Sequence, residues 1–491
     1  MRKQVQLQIM SILPTILEGV NYAVTTNSQQ AAIVLGDCYS TIKSIMDFFK
    51  IGLTEERFDF YQGLLNETLE ILENIHEKTA SGHAASDLSY KFKKVLRKVE
   101  RELEQESEVK IEVVFMPYKS SMWDSLESIW LAAKEDKRCN PTVIPIPYYD
   151  KHPDGTVAAI HYEGGQFPDQ VPIVHYDNYD LSSNLPDIIY IHNPYDDSNR
   201  VTSVDPRYYS HHLKQYTNIL VYVPYFISGV YANVEAFAQK HLTSCLKSVD
   251  QIVVQSHMHK KLYSACGVNE NKLLVLGSPK LDSVKNMVKE QSLIPTDWIK
   301  KMEGKKAVVL NSSIGSLLVA PNYLTELKQR ISIILSFNEL FLIWRPHPLL
   351  KTTISSMRPA LLGEYNEIIQ MVQKHENAVL DQSGGTLSAT IASCGMISDT
   401  SSWARQYIAT GKPVLMLQGT SRAKNGKLCV FDHFSSYFLN DGYNIEEFCR
   451  LLISGEDEKK AERLRDVRNS IVNTDGSCGK KVNHQIISLL R

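Results

Sequence analysis

Three short stretches combine side chains that can bind phosphate or move a proton with the turn chemistry of a strand end. Trp344-Arg345-Pro346-His347-Pro348 sets a histidine between two prolines that fix its backbone, beside an arginine whose fork of donors suits phosphate oxygens. By spacing alone the same stretch also reads as a rigid loop with an exposed basic pair. Ser398-Asp399-Thr400-Ser401-Ser402 stands where a strand gives way to a helix starting near Trp403. Free backbone N–H groups, a positive dipole end and hydroxyls could hold a diphosphate there without a metal, and the same residue types also serve as plain N-caps. Tyr190-Ile191-His192-Asn193-Pro194-Tyr195-Asp196-Asp197 offers His192, whose ordinary near-neutral pKa suits removal of a hydroxyl proton. A buried or capping histidine is the competing reading.

Other signals are weaker or missing. His257 and His259 sit two apart and His211 and His212 are adjacent, spacings that do not put two metal ligands on one helix face, so both pairs read as surface histidines. The chain contains no H-E-x-x-H, no G-x-x-x-x-G-K-[ST] and no G-x-G-x-x-G, so zinc hydrolysis, P-loop and ordinary dinucleotide chemistry lose their main support. No Asp-x-Asp occurs, which argues against a metal gripped by such a motif; no metal and no cofactor are expected.

These stretches must be positioned by elements, and 491 residues exceed what one core usually serves. With 53 Lys+Arg against 55 Asp+Glu and a net charge of -2, the chain does not read as a nucleic-acid binder. Its eight cysteines are scattered singly, which fits a reducing cytoplasm. Gln4, Gln6, Gln8, Pro14 and Glu18 interrupt the N-terminal stretch, so a signal peptide is not expected; the apolar run from Ile219 to Ala232 is too short to cross a bilayer.

Residues 1–108 read as an all-helical region. Apolar stripes run through Ile9, Leu13, Ile16, Val20 and Val24, through Phe58, Tyr61, Leu65, Leu72 and Ile75, and through Leu88, Phe92, Val95, Val99 and Leu103, with Asp87 as the cap of the last. Lys91, Lys93, Lys94, Arg97, Lys98 and Arg101 cover the rest of that third helix, which packs in a bundle, on a second copy, or on an anionic membrane surface. From Lys110 short β-rich runs alternate with helices, the pattern of a parallel sheet covered on both faces. Strands are expected at 111–116, 142–147, 187–192, 219–225, 251–255 and 273–276 in one domain, 109–292. The alternation restarts in a second domain, 293–491, at 307–311, 340–344, 378–380, 396–398 and 413–417. Ligands of such sheets bind beyond the carboxyl ends of the strands.

At these residues the sequence resembles the CDP-glycerol glycerophosphotransferase family of teichoic acid and capsule polymerases. Gly277-Ser278-Pro279-Lys280-Leu281-Asp282 is similar to the family's G-Y-P-R-N-D element, Arg345-Pro346-His347-Pro348 to R-x-H-P, Asp399-Thr400-Ser401-Ser402 to D-Y-S-S, and Gly411-Lys412-Pro413-Val414 to N-K-P-I. His192-Asn193-Pro194 stands where the family has H-G-T-P. The resemblance spans residues 110 to 480 and implies an α/β fold of GT-B-like type, two facing Rossmann-like domains behind the helical extension. It implies transfer of a polyol phosphate, glycerol phosphate most simply, from a CDP-activated donor to a hydroxyl of a cell-surface polymer or lipid-linked acceptor, with release of CMP. His192 and His347 would be the catalytic residues, Arg345, Asp399, Thr400, Ser401, Ser402, Gly277 and Lys280 would bind the donor, and Asn193, Lys119 and Ser120 would lie on the acceptor side. A location in the cytoplasm, peripheral on the inner face of the cell membrane, follows, with self-association left open. A sugar-nucleotide glycosyltransferase or epimerase of the same architecture and a non-catalytic scaffold are the competing readings.

Overall fold

The computed structural model describes residues 1–490 apart from 153, 200, 232, 287–292, 384, 400, 419–427, 430–435 and 440–441. The chain forms two compact units, one of Met1–Val113 with Lys134–Pro141 and Pro186–Ile188, the other of Val114–Ala133, Thr142–Leu185 and Ile189–Arg491.

The first unit is built on four helices, Lys3–Ala23, Ser28–Gly52, Glu55–Ala80 and Ser86–Glu104. The stripes predict three of them. The fourth, Ser28–Gly52, turns Leu35, Cys38, Ile42, Ile45 and Phe49 inward, and its start is marked by Asn27, whose side chain accepts the Gln30 N–H. Asp87 is not the cap of the last helix: that helix begins at Ser86, and Asp87 lies exposed in its first turn, 3.4 Å from Lys78. Where the last helix ends, the buried Glu106 carboxylate takes Arg57 Nη2 at 2.7 Å and Tyr61 OH at 3.0 Å, pairing a charge that would otherwise be costly to bury. Among the described residues no helix is long and apolar enough to cross a membrane.

Two six-stranded sheets follow. In the first, the strands lie in the order Leu273–Val275, Gln251–Val254, Ile219–Tyr222, Ile188–Ile191, Ile111–Met116, Cys139–Val143. Numbered within the sheet this is 2-1-3-4-5-6, so the order reverses between Ile111–Met116 and Ile188–Ile191. The strand expected at 142–147 lies earlier, at Cys139–Val143, although the Ile144 and Ile146 N–H groups still reach the Phe115 and Pro117 carbonyls at 2.8 and 2.9 Å; Pro141 is tolerated because the strand is at the edge. The second sheet, Ala378–Leu380, Leu340–Pro346, Lys306–Ser312, Ser393–Ser398, Val414–Met416, Tyr437–Phe438, is parallel throughout, with order 3-2-1-4-5-6 and its reversal between Lys306–Ser312 and Ser393–Ser398. Val308, Leu310, Leu342, Trp344 and Ile397 fill its core, the near-continuous apolar runs of strands buried on both faces.

Two features lie outside the expected alternation. Tyr148–Lys151, Val157–His161 and Thr202–Val204 form a small antiparallel sheet. The chain's last helix, Cys478–Ile487, returns to the first sheet's half of the unit: Asp282 accepts the N–H groups of Cys478 at 3.2 Å and Gly479 at 2.7 Å, and a Cβ on Gly479 would lie 2.4 Å from the Ser128 backbone.

Candidate functional site

The strand order of the second sheet reverses between Lys306–Ser312 and Ser393–Ser398, and doubly wound sheets bind ligands beyond the carboxyl ends of their strands at such a point. Asn311 organises this region. Its amide donates to Ser398 Oγ at 2.8 Å and to Ser401 Oγ at 3.1 Å, and Ser401 in turn accepts the Ala404 N–H as N-cap of the helix Ser402–Ile408. Asp399, almost fully buried, accepts the Ser313 N–H at 2.9 Å and so ties the two turns together. Thr400 lies outside the described residues. Ser402 faces the other sheet's half, accepting the Ile227 N–H at 3.3 Å. Sequence reasoning missed Asn311; its signal was a polar residue ending an otherwise apolar strand.

The neighbouring strand end carries Arg345 and His347, whose environments differ. Arg345 is 7% exposed and is engaged within the protein: Nη1 donates to Asp381 at 2.6 Å and to Ser383 Oγ at 3.1 Å, Nη2 to the Ser383 carbonyl at 2.8 Å. The expected phosphate fork is therefore a clasp on the Asp381–Ser383 turn, its charge offset by a buried carboxylate. His347 is exposed, and its backbone N–H reaches the Ser312 carbonyl at 2.9 Å, which holds it beside the end of Lys306–Ser312. Its Nδ1 accepts the Leu349 N–H at 3.2 Å, so the neutral ring carries its proton on Nε2. Crowding by the surrounding protein, then the Arg345 and Lys119 charges, hold its pKa below the usual histidine range.

Lys119 is the first sheet's contribution to this place. It follows Ile111–Met116, where that sheet's order reverses, and its ammonium lies 4.5 Å above the Tyr148 ring. No carboxylate among the described residues pairs with it. Ser120 is committed to the protein, donating from N at 2.8 Å and Oγ at 3.0 Å to Glu163, which also takes the Tyr148 OH at 2.7 Å. Glu163 is thus a carboxylate beside the Lys119 turn that spacing did not reveal.

His192 has no exposed surface. Its Nε2 accepts the Tyr118 N–H at 3.1 Å, so the ring proton sits on Nδ1, 3.1 Å from Ser125 Oγ, and that hydroxyl donates to the Met122 carbonyl at 2.7 Å. Burial, and secondarily Lys280, push its pKa down to about 3. Neither nitrogen is available to a substrate, so the expected general base is a neutral strut joining two turns. Asn193 closes a local turn, its Oδ1 accepting the Tyr195 N–H at 3.3 Å, and the buried Asp196 accepts Ser210 N at 3.0 Å and Oγ at 2.6 Å.

The stretch expected to bind the donor through Gly277 and Lys280 is a seam instead. Gly277 has φ +101, and a Cβ there would lie 2.3 Å from the Val472 carbonyl oxygen, so glycine is required where the C-terminal segment crosses. Lys280, 6% exposed, is bound by both oxygens of Asp124 at 2.5 and 2.6 Å, and Asp124 also takes Gln406 of the second sheet's half at 3.1 Å.

Two sheets whose strand order each reverses once and a C-terminal helix that returns to the first half define an α/β chain of GT-B type. No family model matches the sequence, and no curated protein does. Among solved structures the fold is similar to that of a Listeria monocytogenes protein assigned as a UDP-N-acetylglucosamine 2-epimerase, 15% identical over 78% of this chain and 97% of that one, with a TM-score of 0.51. A Neisseria meningitidis UDP-GlcNAc 2-epimerase bound to UDP-GlcNAc gives 12% identity, 77% and 100% coverage and a TM-score of 0.48. The wall teichoic acid polymerase TagF gives 12%, 87% and 98%, and 0.48.

Proposed function

We propose that the chain is an enzyme that transfers a polyol phosphate, glycerol phosphate most simply, from a CDP-activated donor to a hydroxyl of a cell-surface polymer or lipid-linked acceptor, releasing CMP. The observation that carries this reading is His347, exposed just beyond a parallel strand of the second sheet with Nδ1 engaged by the Leu349 N–H, its pKa lowered by burial and then by the Arg345 and Lys119 charges, the second of these from the other half of the same compact unit. A cation with no carboxylate partner among the described residues and a neutral imidazole with a free N–H suit a phosphoryl group.

In this arrangement the donor's diphosphate lies over the strand ends at Asn311, Asp399 and Ser401. The acceptor oxygen attacks the distal phosphorus in line; the new P–O bond forms as the bond to the CMP oxygen breaks, and the hydroxyl proton leaves to solvent or to a base that the reaction recruits. His347 donates from Nε2 to a phosphoryl oxygen, and Lys119 offsets the charge gathering on the transferred group, so the protein works by positioning and electrostatics. His192 takes no part.

Incubation with CDP-glycerol, CDP-ribitol and UDP- and CMP-sugars, scoring CMP or UDP release, tests the donor. CMP release from a CDP-polyol is expected. Turnover of UDP-sugars alone would replace this reading by a sugar-nucleotide glycosyltransferase or epimerase of the same architecture, and selective nucleotide binding without turnover would favour the scaffold.

A further inference from the structure

Four buried or half-buried cations of this protein are matched by carboxylates: Arg57 by Glu106, Lys280 by Asp124, Arg345 by Asp381 and Arg463 by Asp457. Arg405 is not. No carboxylate among the described residues forms an ion pair with it, and its Nε is buried with no hydrogen-bond partner. Among the described residues its side chain makes one hydrogen bond, from Nη1 to the Ile227 carbonyl at 3.3 Å. The guanidinium packs against Gly229, where a Cβ would come within 2.3 Å of Nε, 2.5 Å of Cζ and 2.6 Å of Nη2, so the approach depends on glycine. Burial holds the Arg405 pKa below the usual arginine range, opposed only by Tyr231.

A guanidinium taken out of water without a counter-charge costs several kcal/mol in general, a cost offset when an anion arrives. The position suits one. Helical side chains lean toward the helix start, so Arg405 runs back along the turn that carries Ser401 and Ser402. Its partner segment, Ile227–Gly229, follows the Ile219–Tyr222 strand of the other sheet and is also held by Ser402 Oγ. The group left without a protein partner, Nε, belongs with Nη2 to the edge that grips two oxygens side-on; Arg57 uses that edge on Glu106, with Nε at 3.0 Å and Nη2 at 2.7 Å.

The geometry points to Arg405 as an anion-binding residue that takes phosphoryl oxygens of a nucleotide diphosphate where the two sheets' halves meet, the part first expected of Arg345. This deepens the donor-site reading and rests on it for the ligand's class. The experiment therefore uses inorganic pyrophosphate and CMP, whose binding does not depend on turnover. Calorimetric titration of the full chain should show pyrophosphate binding that weakens on the order of tenfold or more in Arg405→Met and by less in Arg405→Lys, which keeps the charge without the fork. Because Arg405→Met removes an unpaired buried charge, the unliganded variant should melt no lower than wild type. Absence of pyrophosphate binding by the wild type, or unchanged affinity in either folded variant, overturns the assignment. So does a chain that unfolds with both replacements, since the guanidinium would then be part of the fold. Loss of pyrophosphate binding in a protein that turns over only UDP-sugars would keep the anion site and discard the CDP-polyol reading.

Discussion

His192 and His347 occupy equivalent places, each the first residue beyond a buried parallel strand, yet their surroundings give them different chemistry. The turn after Ile188–Ile191 is roofed by Tyr118 and Ser125, which occupy both ring nitrogens and leave no exposed surface. The turn after Leu340–Pro346 is open, and only Nδ1 of His347 is used, by Leu349. Arg345 and Lys119 repeat the contrast with cations: one sits on a buried carboxylate, the other over an aromatic ring. A strand end is therefore a place where chemistry can be positioned, and the segments that fold over it determine whether it is reachable.

That contrast can be broken or sharpened by substitution. The largest effect is expected at the sealed cation: Asp381→Ala leaves the Arg345 guanidinium buried and unpaired, which should lower the unfolding free energy by about 3–5 kcal/mol in urea titration. A loss under about 1 kcal/mol would mean that Arg345 is less committed than its contacts imply. At the open histidine, His347→Ala should lower CMP release on the order of 10²-fold with little change in melting temperature, and His347→Gln, which can present an N–H, should recover part of it. Equal loss in both variants would point to proton abstraction instead.

For the sealed histidine the expected signature is stability. His192→Ala orphans the Tyr118 N–H and should cost about 1–3 kcal/mol while activity per folded molecule survives; a catalytic collapse in a fully folded variant would reinstate His192 as a reacting group. Its pKa near 3, against 6.5 when unconstrained, means that the unfolded chain binds a proton the folded one cannot between those values. Stability is then full above about pH 6.5 and falls as pH drops toward 3, by up to several kcal/mol from this group. His192→Gln should flatten that slope by one proton, with His241, also near 3, supplying part of the remainder. The smallest effect tests the meeting of the two halves: Lys119→Met should raise the His347 pKa in an NMR titration, and an unmoved titration would separate the pair.

Much of the architecture was legible because it rests on short-range patterns. The strands Ile111–Met116 and Ala378–Leu380 lie where they are expected from sequence, and the restart of alternation in the second domain marks the second sheet. The helix Ser28–Gly52 was not singled out, although Ala31, Leu35, Cys38, Ile42, Ile45 and Phe49 recur at helical spacing along it. The small antiparallel sheet was hidden because its short strands are partly exposed, with little apolar pattern to detect. For the site, the turns were found but their occupants were not sorted. Arg345 and Lys280 read as free cations until their carboxylates are known, and Gly277 reads as a phosphate turn until Val472 is seen against it.

By itself the sequence determined which segments are helix and strand, that two parallel sheets succeed one another, and that chemistry-bearing residues gather where strands end. Those properties depend on neighbours a few positions away. Only the tertiary structure decided that His192 is sealed, that Lys280 belongs to Asp124, and that Asp282 holds the returning C-terminal helix, through partners 67, 74, 156 and 197 residues distant. Burial and charge pairing are set by whatever the fold brings to a side chain, and for each of these groups that neighbour came from far along the chain.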